Sequence, residues 1–349
     1  ISAVYNVCKE ILYDLDAGKC PVGIFCDLSR AFDCVNHSLL ISKLERYGIQ
    51  GEILKWFSSY LEDRYQYVEI KHESKGCINY YRSNHILNDT GVPQGSVLGP
   101  ILFLLYVNDL PSQLQDYFIC MYVDDTSAII SGDNKQEVYL KCNQFLIDIK
   151  QWFDNNLLYL NINKTGFIHF QFSAKDSMDN YNVYLDQHKL CKWNHTKFLG
   201  ITIDSQLTWK PHCSDLISKL NSCCYQIRVL RTIIDLDFLM SFYYAQIESR
   251  ISYGICFWGS GTMLNEVFIL QKRIIRCLAK IDNRTSCKEY FSSLNILTVY
   301  GLYALQILEL IHVNISDFDF NGDFHTYPTR SRNKLSIPLH HFATVGKTH

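Results

Sequence analysis

Two adjacent aspartates, Asp124 and Asp125, join two strand-length apolar runs at residues 118–123 and 126–130. Both runs are rich in β-branched and aromatic residues, so we expect a β-hairpin whose connection carries the two carboxylates. Taken alone, an acidic turn is the simpler interpretation, because Asp is a common turn residue. A third carboxylate changes that judgement, since Asp27 directly follows a short apolar strand predicted at Val22–Cys26.

The three carboxylates would converge if the two strand regions were neighbours in one sheet. Like charges at close range push each other towards protonation, and divalent cations remove that cost. Such oxygen ligands suit Mg²⁺, with Mn²⁺ as a substitute, and two ions about 4 Å apart can align the attacking and leaving oxygens of phosphoryl transfer. The pattern therefore predicts a nucleotidyl or phosphoryl transferase. Because side chains alternate along a strand, Asp27 and Asp124 are the firmer ligands and Asp125 is the second choice.

Other kinds of catalytic site find no support, since the sequence has no Ser-His-Asp or Cys-His pattern, Walker loop or GxGxxG loop. The formal net charge is −2, so a nucleic-acid partner would have to be held by local basic patches. One candidate is a stripe spaced by four residues, Lys272, Arg276 and Lys280, with Arg273 beside it. Such a stripe could follow phosphates, and an ordinary solvated helix face explains it equally well.

Hydrophobic spacing predicts helices near residues 4–15, 38–47, 52–61, 97–107 and 135–154, and strands at 22–26, 65–71 and over most of 157–172, with an interruption at 163–165. A second hairpin is expected at 198–209, with its turn at Asp204-Ser205. From Pro211 to about Val313 helical periodicity dominates, and a polar tail follows from Ser316. We therefore expect an α+β fold, with a small antiparallel sheet covered by helices on one face and a helical region beyond residue 210.

The fourteen cysteines are scattered and form no CxxC pair, which predicts reduced, mostly buried thiols. Zinc at Cys191 with His195, or at His212 with Cys213, is disfavoured because paired ligand knuckles are missing. No secretion pattern opens the chain, and the longest apolar run, Val97–Val107, is too short to span a bilayer. These features predict an intracellular protein of the nucleus, the cytoplasm or both, with no membrane partner.

Five ordered motifs point to a family. They are FCDLSRAFD at 25–33, GVPQGS at 91–96, YVDD at 122–125, NINKT at 161–165 and KFLGI at 197–201. Together they resemble the reverse transcriptase of non-LTR, LINE-like retrotransposons, and the jockey-like elements most. The resemblance continues through Tyr253-Gly254 to Trp258-Gly259 and Gln271-Lys272-Arg273, as far as about residue 310.

The resemblance implies a right-hand polymerase and its partners. Its parts would be a palm with a remnant of the fingers at 1–194, a primer-grip hairpin at 195–210, a helical thumb at 211–315 and a tail at 316–349. The expected activity is RNA-directed DNA synthesis by two-metal nucleotidyl transfer to a primer 3′-hydroxyl, in target-primed reverse transcription. Its partners would be an RNA template, a DNA primer and deoxynucleoside triphosphates.

The resemblance also implies roles for single residues. Asp27, Asp124 and Asp125 match the catalytic metal ligands, and the Leu28 carbonyl would complete their shell. Phe32 matches the aromatic gate beneath the incoming sugar, which leaves no room for a 2′-hydroxyl. The remaining matches are Gln94 and Gly95 at the nucleotide, Lys164 as the proton donor to pyrophosphate, Phe198, Leu199 and Gly200 at the primer, and Lys272, Arg273, Arg276 and Lys280 along the duplex.

Simpler interpretations remain for several of these residues. Phe32 could be a core residue, Gln94 and Gly95 only a tight turn, and Lys164 a solvated surface lysine. Asp33 is predicted to be structural, such as a helix cap.

Two rival functions also remain. One is an RNA-dependent RNA polymerase, which Phe32 disfavours. The other is a catalytically inactive remnant that at most binds nucleic acid. The chain starts at Ile1 and only 26 residues precede Asp27, so we expect a fragment without most of the fingers or an upstream endonuclease. A complete RNase H domain is not expected downstream.

Overall fold

The structure is a computed structural model and describes residues 1–74, 76–172, 181–318, 320 and 334–335. The helices are α1 (Ser2–Asp16), α2 (His37–Arg46), α3 (Gly51–Leu61), α4 (Leu98–Val107), α5 (Leu110–Gln113), α6 (Lys135–Asn155), α7 (Lys210–Leu230), α8 (Leu236–Tyr243), α9 (Ser249–Ser252), α10 (Ile255–Trp258), α11 (Leu264–Ala279), α12 (Lys288–Ser293) and α13 (Val299–Val313). A π-helical segment, Tyr244–Glu248, joins α8 to α9. The predicted helices of the first half are confirmed to within a few residues.

The strands are β1 (Val22–Cys26), β2 (Tyr65–Gln66), β3 (Glu69–Ser74), β4 (Cys77–Arg82), β5 (Ile86–Leu87), β6 (Phe118–Tyr122), β7 (Asp125–Ile130), β8 (Gly166–His169), β9 (Tyr184–Leu185), β10 (His188–Lys189), β11 (Cys191–Lys192), β12 (His195–Phe198) and β13 (Ile201–Asp204). The strand predicted at 65–71 is therefore two strands, which belong to separate ladders with β5 and β4. Of the region 157–172, predicted to be mostly strand, only β8 is a strand.

The largest sheet has five strands in the order β11–β8–β1–β7–β6. Strand β1 pairs antiparallel with β7, and β7 pairs antiparallel with β6. Strand β11 pairs parallel with β8, so the expectation of a purely antiparallel sheet is wrong. Parallel pairing is possible because the connection between these two strands, residues 170–190, is long enough for the chain to return and run again in the same direction.

Strand β1 lies in the middle of this sheet, and all five of its residues are buried. A strand in that position needs an unbroken apolar run, which the sequence supplies. Helix α6 packs against β1 and β7 through the face predicted from its spacing, which includes the buried Val138, Phe145 and Ile149. This core therefore fixes the position of the residues that immediately follow β1.

The chain forms two compact units. One contains residues 20–167 and 178–192, and the other contains residues 1–19, 168–177 and 193–349, so far as these are described. In the second unit, α7 packs against β13 and α11, and α13 packs against α10 and α11. Helix α1 belongs there too, with Lys9 Nζ 2.9 Å from Asp317 Oδ2. The division into palm, hairpin, thumb and tail stays a prediction.

The second hairpin differs from its prediction. Its strands are β12 and β13, and its turn is Leu199-Gly200 rather than Asp204-Ser205. The Asp204 carboxylate instead accepts hydrogen bonds from the backbone N–H groups of Thr208, at 3.0 Å, and Trp209, at 2.7 Å. Asp204 thus organises the entry into α7, which is a second common use of an aspartate.

Two further sequence expectations concern the whole chain. Most of the cysteines are buried, as predicted. Within the described ranges, no helix has the length and apolar character needed to cross a membrane.

Candidate active site

The three predicted carboxylates lie at one end of the five-stranded sheet. Cys26, the last residue of β1, faces Thr126 on β7, so Asp27 and Asp125 are the next residues on two neighbouring strands. Tyr122 faces Asp125 across the β6–β7 hairpin, which leaves Val123 and Asp124 as its turn. The structure therefore brings together the residues that sequence reasoning linked across about a hundred positions.

The turn between β6 and β7 has an unusual backbone. Val123 adopts φ +57°, a left-handed conformation that is strained for a β-branched residue. Because Asp124 lies in the turn and Asp125 begins β7, the alternation of side chains along a strand does not govern the pair. The argument that ranked Asp125 below Asp124 therefore loses its basis.

The carboxylates interact electrostatically. The pKa of Asp125 is raised, first by partial desolvation and then by the negative charges of Asp124 and Asp27. The residue as a whole remains exposed, so the shift reflects a crowded site and not a buried one. Removing charge from this end of the sheet, or adding a cation, would relieve the repulsion.

Asp27 also interacts with the segment that carries the NINKT motif. The Asn161 N–H donates to the Asp27 carbonyl at 2.8 Å, and the turn Ile162–Lys164 follows directly. This places Lys164 Nζ 3.4 Å from Asp27 Oδ2, with side chains 68% and 28% exposed respectively. Asp27 Oδ2 is itself buried and makes no hydrogen bond, so the lysine is a charge neighbour only.

Leu28 is buried beside this carboxylate and forms an antiparallel bridge with Leu160. The flanking hydrogen bonds are Asn161 N–H to the Asp27 carbonyl and Ser29 N–H to the Tyr159 carbonyl. The Leu28 carbonyl takes no part in this bridge, which is compatible with the predicted role as a ligand.

The donor set fits a divalent cation in its chemistry. A buried carboxylate oxygen without a hydrogen bond is costly, and it lies beside two further carboxylates that repel one another. Hard oxygen ligands of this kind suit Mg²⁺ or Mn²⁺. Among the described residues, however, no group of three or more His, Cys, Asp or Glu side chains is arranged to enclose a metal ion. The ligand roles of Asp27, Leu28, Asp124 and Asp125 therefore stay predictions.

The GVPQGS loop is attached to the segment that follows Asp27. The Val92 N–H donates to the Phe32 carbonyl at 2.9 Å, and the Gly91 N–H donates to the Val35 carbonyl at 2.7 Å. A Cβ added at Gly91, whose φ is +79°, would lie 2.8 Å from the Asp33 Cα. Only glycine permits this approach, so Gly91 is needed for the two segments to meet.

Phe32 and Gln94 each have a defined partner near that junction. The Phe32 ring is half-buried, with its centroid 4.9 Å from that of Phe103. Gln94 is exposed, and its Nε2 donates to Asp33 Oδ1 at 2.9 Å. Gly95 is exposed as well, with φ +83° and no heavy atom within 4 Å of an added Cβ. Phe32 thus packs against Phe103, and Asp33, the next residue, fixes the orientation of the Gln94 amide.

Sequence reasoning missed the part that Asp33 plays. The cap of α2 is Asn36, whose side chain accepts from the Leu39 N–H at 3.0 Å, so the prediction of Asp33 as a cap is wrong. An asparagine directly before the helix at His37 is a recognisable start signal. Nothing in the sequence indicated that the carboxylate of Asp33 meets Gln94, sixty-one positions later.

The predicted primer and duplex residues belong to the second unit. Phe198 is buried, and Leu199 and Gly200 form the turn of the β12–β13 hairpin. On α11, Ile274, Cys277 and Leu278 are buried, whereas Ile281, which the spacing placed on the same face, lies beyond the end of the helix and is only partly buried.

The basic stripe is less regular than its spacing implied. Lys272 Nζ lies 4.5 Å from the centre of the Phe268 ring, and Arg276 Nε donates to the Thr285 carbonyl at 2.9 Å. Lys280 follows the helix with φ +55°, so the stripe does not continue to that position. Arg273 is exposed on α11. Binding of a duplex by these four residues stays a prediction.

Residues 8–203, more than half of the chain, match the protein family described as reverse transcriptase (RNA-dependent DNA polymerase). The chain therefore belongs to the reverse transcriptase family. The resemblance inferred from the ordered motifs is confirmed, including its jockey-like character.

The curated relatives are proteins of mobile elements. The chain is 27% identical over 326 residues to the probable RNA-directed DNA polymerase from transposon BS of Drosophila melanogaster, covering 86% of this chain and 33% of that protein. It is 26% identical over 285 residues to the RNA-directed DNA polymerase from mobile element jockey of the same fly, covering 78% of this chain and 30% of that protein. The chain thus spans about a third of the length of these relatives.

Solved structures similar to this chain include two telomerases. Telomerase from Candida albicans in complex with a TWJ fragment of telomeric RNA has a TM-score of 0.45 and 13% identity, covering 85% of this chain and 55% of that one. Apo telomerase from Candida tropicalis has a TM-score of 0.41 and 14% identity, covering 84% and 57%.

Proposed function

We propose that this chain is the polymerase part of a non-LTR retrotransposon reverse transcriptase, which extends a DNA primer on an RNA template. One observation carries the proposal: Asp27 Oδ2 is buried without a hydrogen bond at the end of the central strand, beside the hairpin of Asp124 and Asp125. Lys164 Nζ lies 3.4 Å from that oxygen, but one lysine does not balance three carboxylates, so the site still favours a cation. The motifs surrounding it are those of the reverse transcriptase family.

Asp27, Asp124, Asp125 and the Leu28 carbonyl would hold the divalent cations, Mg²⁺ or Mn²⁺. When bound, two such ions stabilise the negative charge that develops on the attacking and leaving oxygens. The chain's own contribution is to keep three carboxylates at one end of a rigid sheet. Partial desolvation and the negative charges of Asp124 and Asp27, which together raise the pKa of Asp125, favour the arrival of positive charge.

The neighbouring residues select and position the nucleotide. The Phe32 ring, supported by Phe103, excludes a ribose 2′-hydroxyl, while Gln94 and Gly95 contact the nucleotide and the base paired with it. The primer 3′-oxygen forms a bond to the α-phosphorus of the deoxynucleoside triphosphate. The bond from that phosphorus to the oxygen that bridges to the β-phosphorus breaks, so that pyrophosphate leaves. Lys164, 3.4 Å from Asp27, gives a proton to the leaving pyrophosphate.

Primer and template would be held by the second unit. Phe198, Leu199 and Gly200 contact the primer, and the basic residues of α11 follow the phosphates of the duplex. The kinship with mobile-element polymerases extends the proposal to target-primed synthesis, in which nicked DNA provides the primer and the element's RNA is the template. Such a reaction takes place inside the cell.

Primer extension on an RNA template tests the proposal, with the full chain and with the whole natural polypeptide that contains it. We expect deoxynucleotide incorporation that requires Mg²⁺ or Mn²⁺. Asp124→Ala should lower it by at least about a thousandfold, because metal clamping of the transferring phosphate contributes several kcal/mol. Asp116→Ala, at an exposed aspartate of the same unit, is the matched control.

Three outcomes contradict parts of the proposal. Full activity of Asp124→Ala shows that the site is wrongly assigned. Preference of the parent for ribonucleotides, unchanged in Phe32→Ala, supports an RNA polymerase. Nucleic-acid binding that survives Asp27→Ala, with no extension by either form of the parent, identifies an inactive remnant.

A further inference from the structure

The β12–β13 hairpin has a turn that its own sequence does not favour. Leu199 has φ +47° and Gly200 has φ +87°, so both residues are in the left-handed region. Two-residue hairpin turns of this kind favour Asn-Gly or Asp-Gly, because a leucine pays a steric penalty there. The turn therefore needs support from elsewhere in the fold.

Tyr253 supplies that support. Its hydroxyl donates a hydrogen bond to the Leu199 carbonyl. Its ring lies against Gly200, where an added Cβ would be 3.1 Å from Tyr253 Cε1 and 3.4 Å from the hydroxyl oxygen. One side chain thus contacts both residues of the turn, by a hydrogen bond to the first and by packing on the second.

Gly254 holds the strand that leaves the turn. It has φ +64°, and an added Cβ would lie 2.3 Å from Cδ1 of Ile201, the first residue of β13. A larger side chain there would have to displace the end of the Ile201 side chain and would strain a backbone with positive φ. Tyr253 and Gly254 therefore contact the hairpin continuously from Leu199 to Ile201.

Tyr253 is itself fixed from behind. The indole Nε1 of Trp258, a fully buried residue, donates to the Tyr253 carbonyl at 3.2 Å. Gly259 lies so close to Tyr303 that an added Cβ would be 2.3 Å from its ring. The residues of the Tyr253-Gly254 and Trp258-Gly259 motif thus form one support that reaches from α13 to the tip of the hairpin.

We propose that Tyr253 is a positioning residue that fixes the tip of the β12–β13 hairpin and, through it, the primer terminus. The second half of this statement rests on the proposed function, in which the hairpin holds the primer. The tip is exposed at Gly200, so a primer can reach it, and Tyr253 acts only through the turn that it holds. A displaced tip would weaken the binding of the primer without touching the nucleotide site.

Tyr253→Phe tests the proposal, because it keeps the ring against Gly200 and removes only the hydroxyl. Tyr244→Phe is a matched control in the same unit: Tyr244 is 39% exposed against 40% for Tyr253, and its hydroxyl donates to the Asn295 carbonyl at 3.1 Å. Each variant removes one hydroxyl donor from a half-exposed tyrosine; in Tyr244 that donor is shared between the Asn295 and Leu294 carbonyls. Both full-length variants should melt at similar temperatures.

Two measurements distinguish a positioning role from a merely structural one. Hydrogen exchange of the Ile201 amide should accelerate about two- to tenfold in Tyr253→Phe and not in Tyr244→Phe, which is the range expected for one hydrogen bond. The KM for primer–template should rise by a similar factor of about two to ten, with kcat and the KM for deoxynucleotides unchanged.

Faster exchange at Ile201 with an unchanged KM for primer–template overturns the positioning role and leaves a structural one. Unchanged exchange at Ile201, or equal effects of both tyrosine variants, would show that Tyr253 does not support the turn. If the parent extends no primer, the proposed function fails separately, and exchange at Ile201 alone decides whether Tyr253 holds the hairpin.

Discussion

Asp125 shows the energetic cost of crowding carboxylates at one end of the sheet. Its raised pKa means that the folded chain binds more protons there than the unfolded chain does. Stability therefore falls as pH rises through the window between the ordinary value, 3.8, and the raised one. Above that window the ionised carboxylate remains unfavourable unless a cation compensates it.

Asp125→Asn is accordingly expected to stabilise the chain when a chelator is present. We expect a gain below about 1 kcal/mol at neutral pH, because the residue is exposed and solvent screens its charge. Thermal denaturation with and without Mn²⁺ measures the effect, and stabilisation by the ion should weaken in the same variant. Asp116→Asn should change neither quantity; a loss of stability in Asp125→Asn would contradict the argument.

Asp33 and Gln94 should behave as a coupled pair in nucleotide use. Asp33→Ala frees the Gln94 amide, so the KM for deoxynucleotides should rise about three- to tenfold, the effect of one partly exposed hydrogen bond. Gln94→Ala should have a similar effect, and the double variant should be no worse than either single one. Additive losses in steady-state kinetics would show that the two residues act independently.

At the scale of elements, α11 combines surface charge with a buried polar junction. Gln271 is completely buried, and its Nε2 donates to the Tyr243 hydroxyl and the Leu297 carbonyl, each at 2.9 Å. Its Oε1 accepts from the Val299 N–H at 2.9 Å. One side chain thus connects α8, α11 and the start of α13, so its place in the family motif is explained by folding.

Gln271→Leu should lower the free energy of unfolding by about 2–4 kcal/mol, because it leaves several buried polar groups without partners. Urea denaturation measures the loss. Gln306→Leu on α13 is the control, since its amide makes only an exposed hydrogen bond to Glu309. A loss below 1 kcal/mol in Gln271→Leu would mean that water or neighbouring groups replace these bonds.

The sequence predicted elements better than their connections. Strand β1 was predicted at its observed bounds, because a continuous run of apolar residues ending at Asp27 has few other solutions. The β12–β13 turn was misplaced, since Asp204-Ser205 is a stronger local turn pattern than a leucine held left-handed by the distant Tyr253. The parallel pairing of β8 and β11 was missed for a similar reason, as register between strands depends on contacts that no local pattern records.

For the candidate site too, the elements could be predicted better than the contacts between them. Asp27, Asp124 and Asp125 could be linked because each lies at the end of a predicted strand, and the sheet order placed those ends together. The contact of Gln94 with Asp33 could not be predicted, because it depends on how the glycine of one loop fits against the backbone of another. Single side-chain contacts of this kind follow from tertiary packing.

At the scale of the whole molecule, the net charge of −2 leaves nucleic-acid affinity to local groups. Arg273 is exposed on α11, whereas the guanidinium of Arg276 is engaged by the Thr285 carbonyl. We therefore expect Arg273→Gln to reduce the slope of log affinity against log salt by about 0.7–0.9, the value for one phosphate contact.

Binding of a primer–template duplex at several salt concentrations measures this slope. Lys55→Gln is the control, because Lys55 is paired with Glu52 on the exposed face of α3. An unchanged slope in Arg273→Gln would show that Arg273 does not contact the duplex.

The division of the chain into units has a consequence for its synthesis. Helix α1 buries Val4, Val7 and Ile11 in the unit that also contains residues 193–349. The hydrogen-bond partner of Tyr5, Asp317, is 312 residues further along. At translation rates of about 5–20 residues per second, about 15–60 s separate the synthesis of Tyr5 from that of Asp317. The apolar face of α1 therefore stays uncovered until later residues of the same unit have been made, and a chaperone can bind it during that interval.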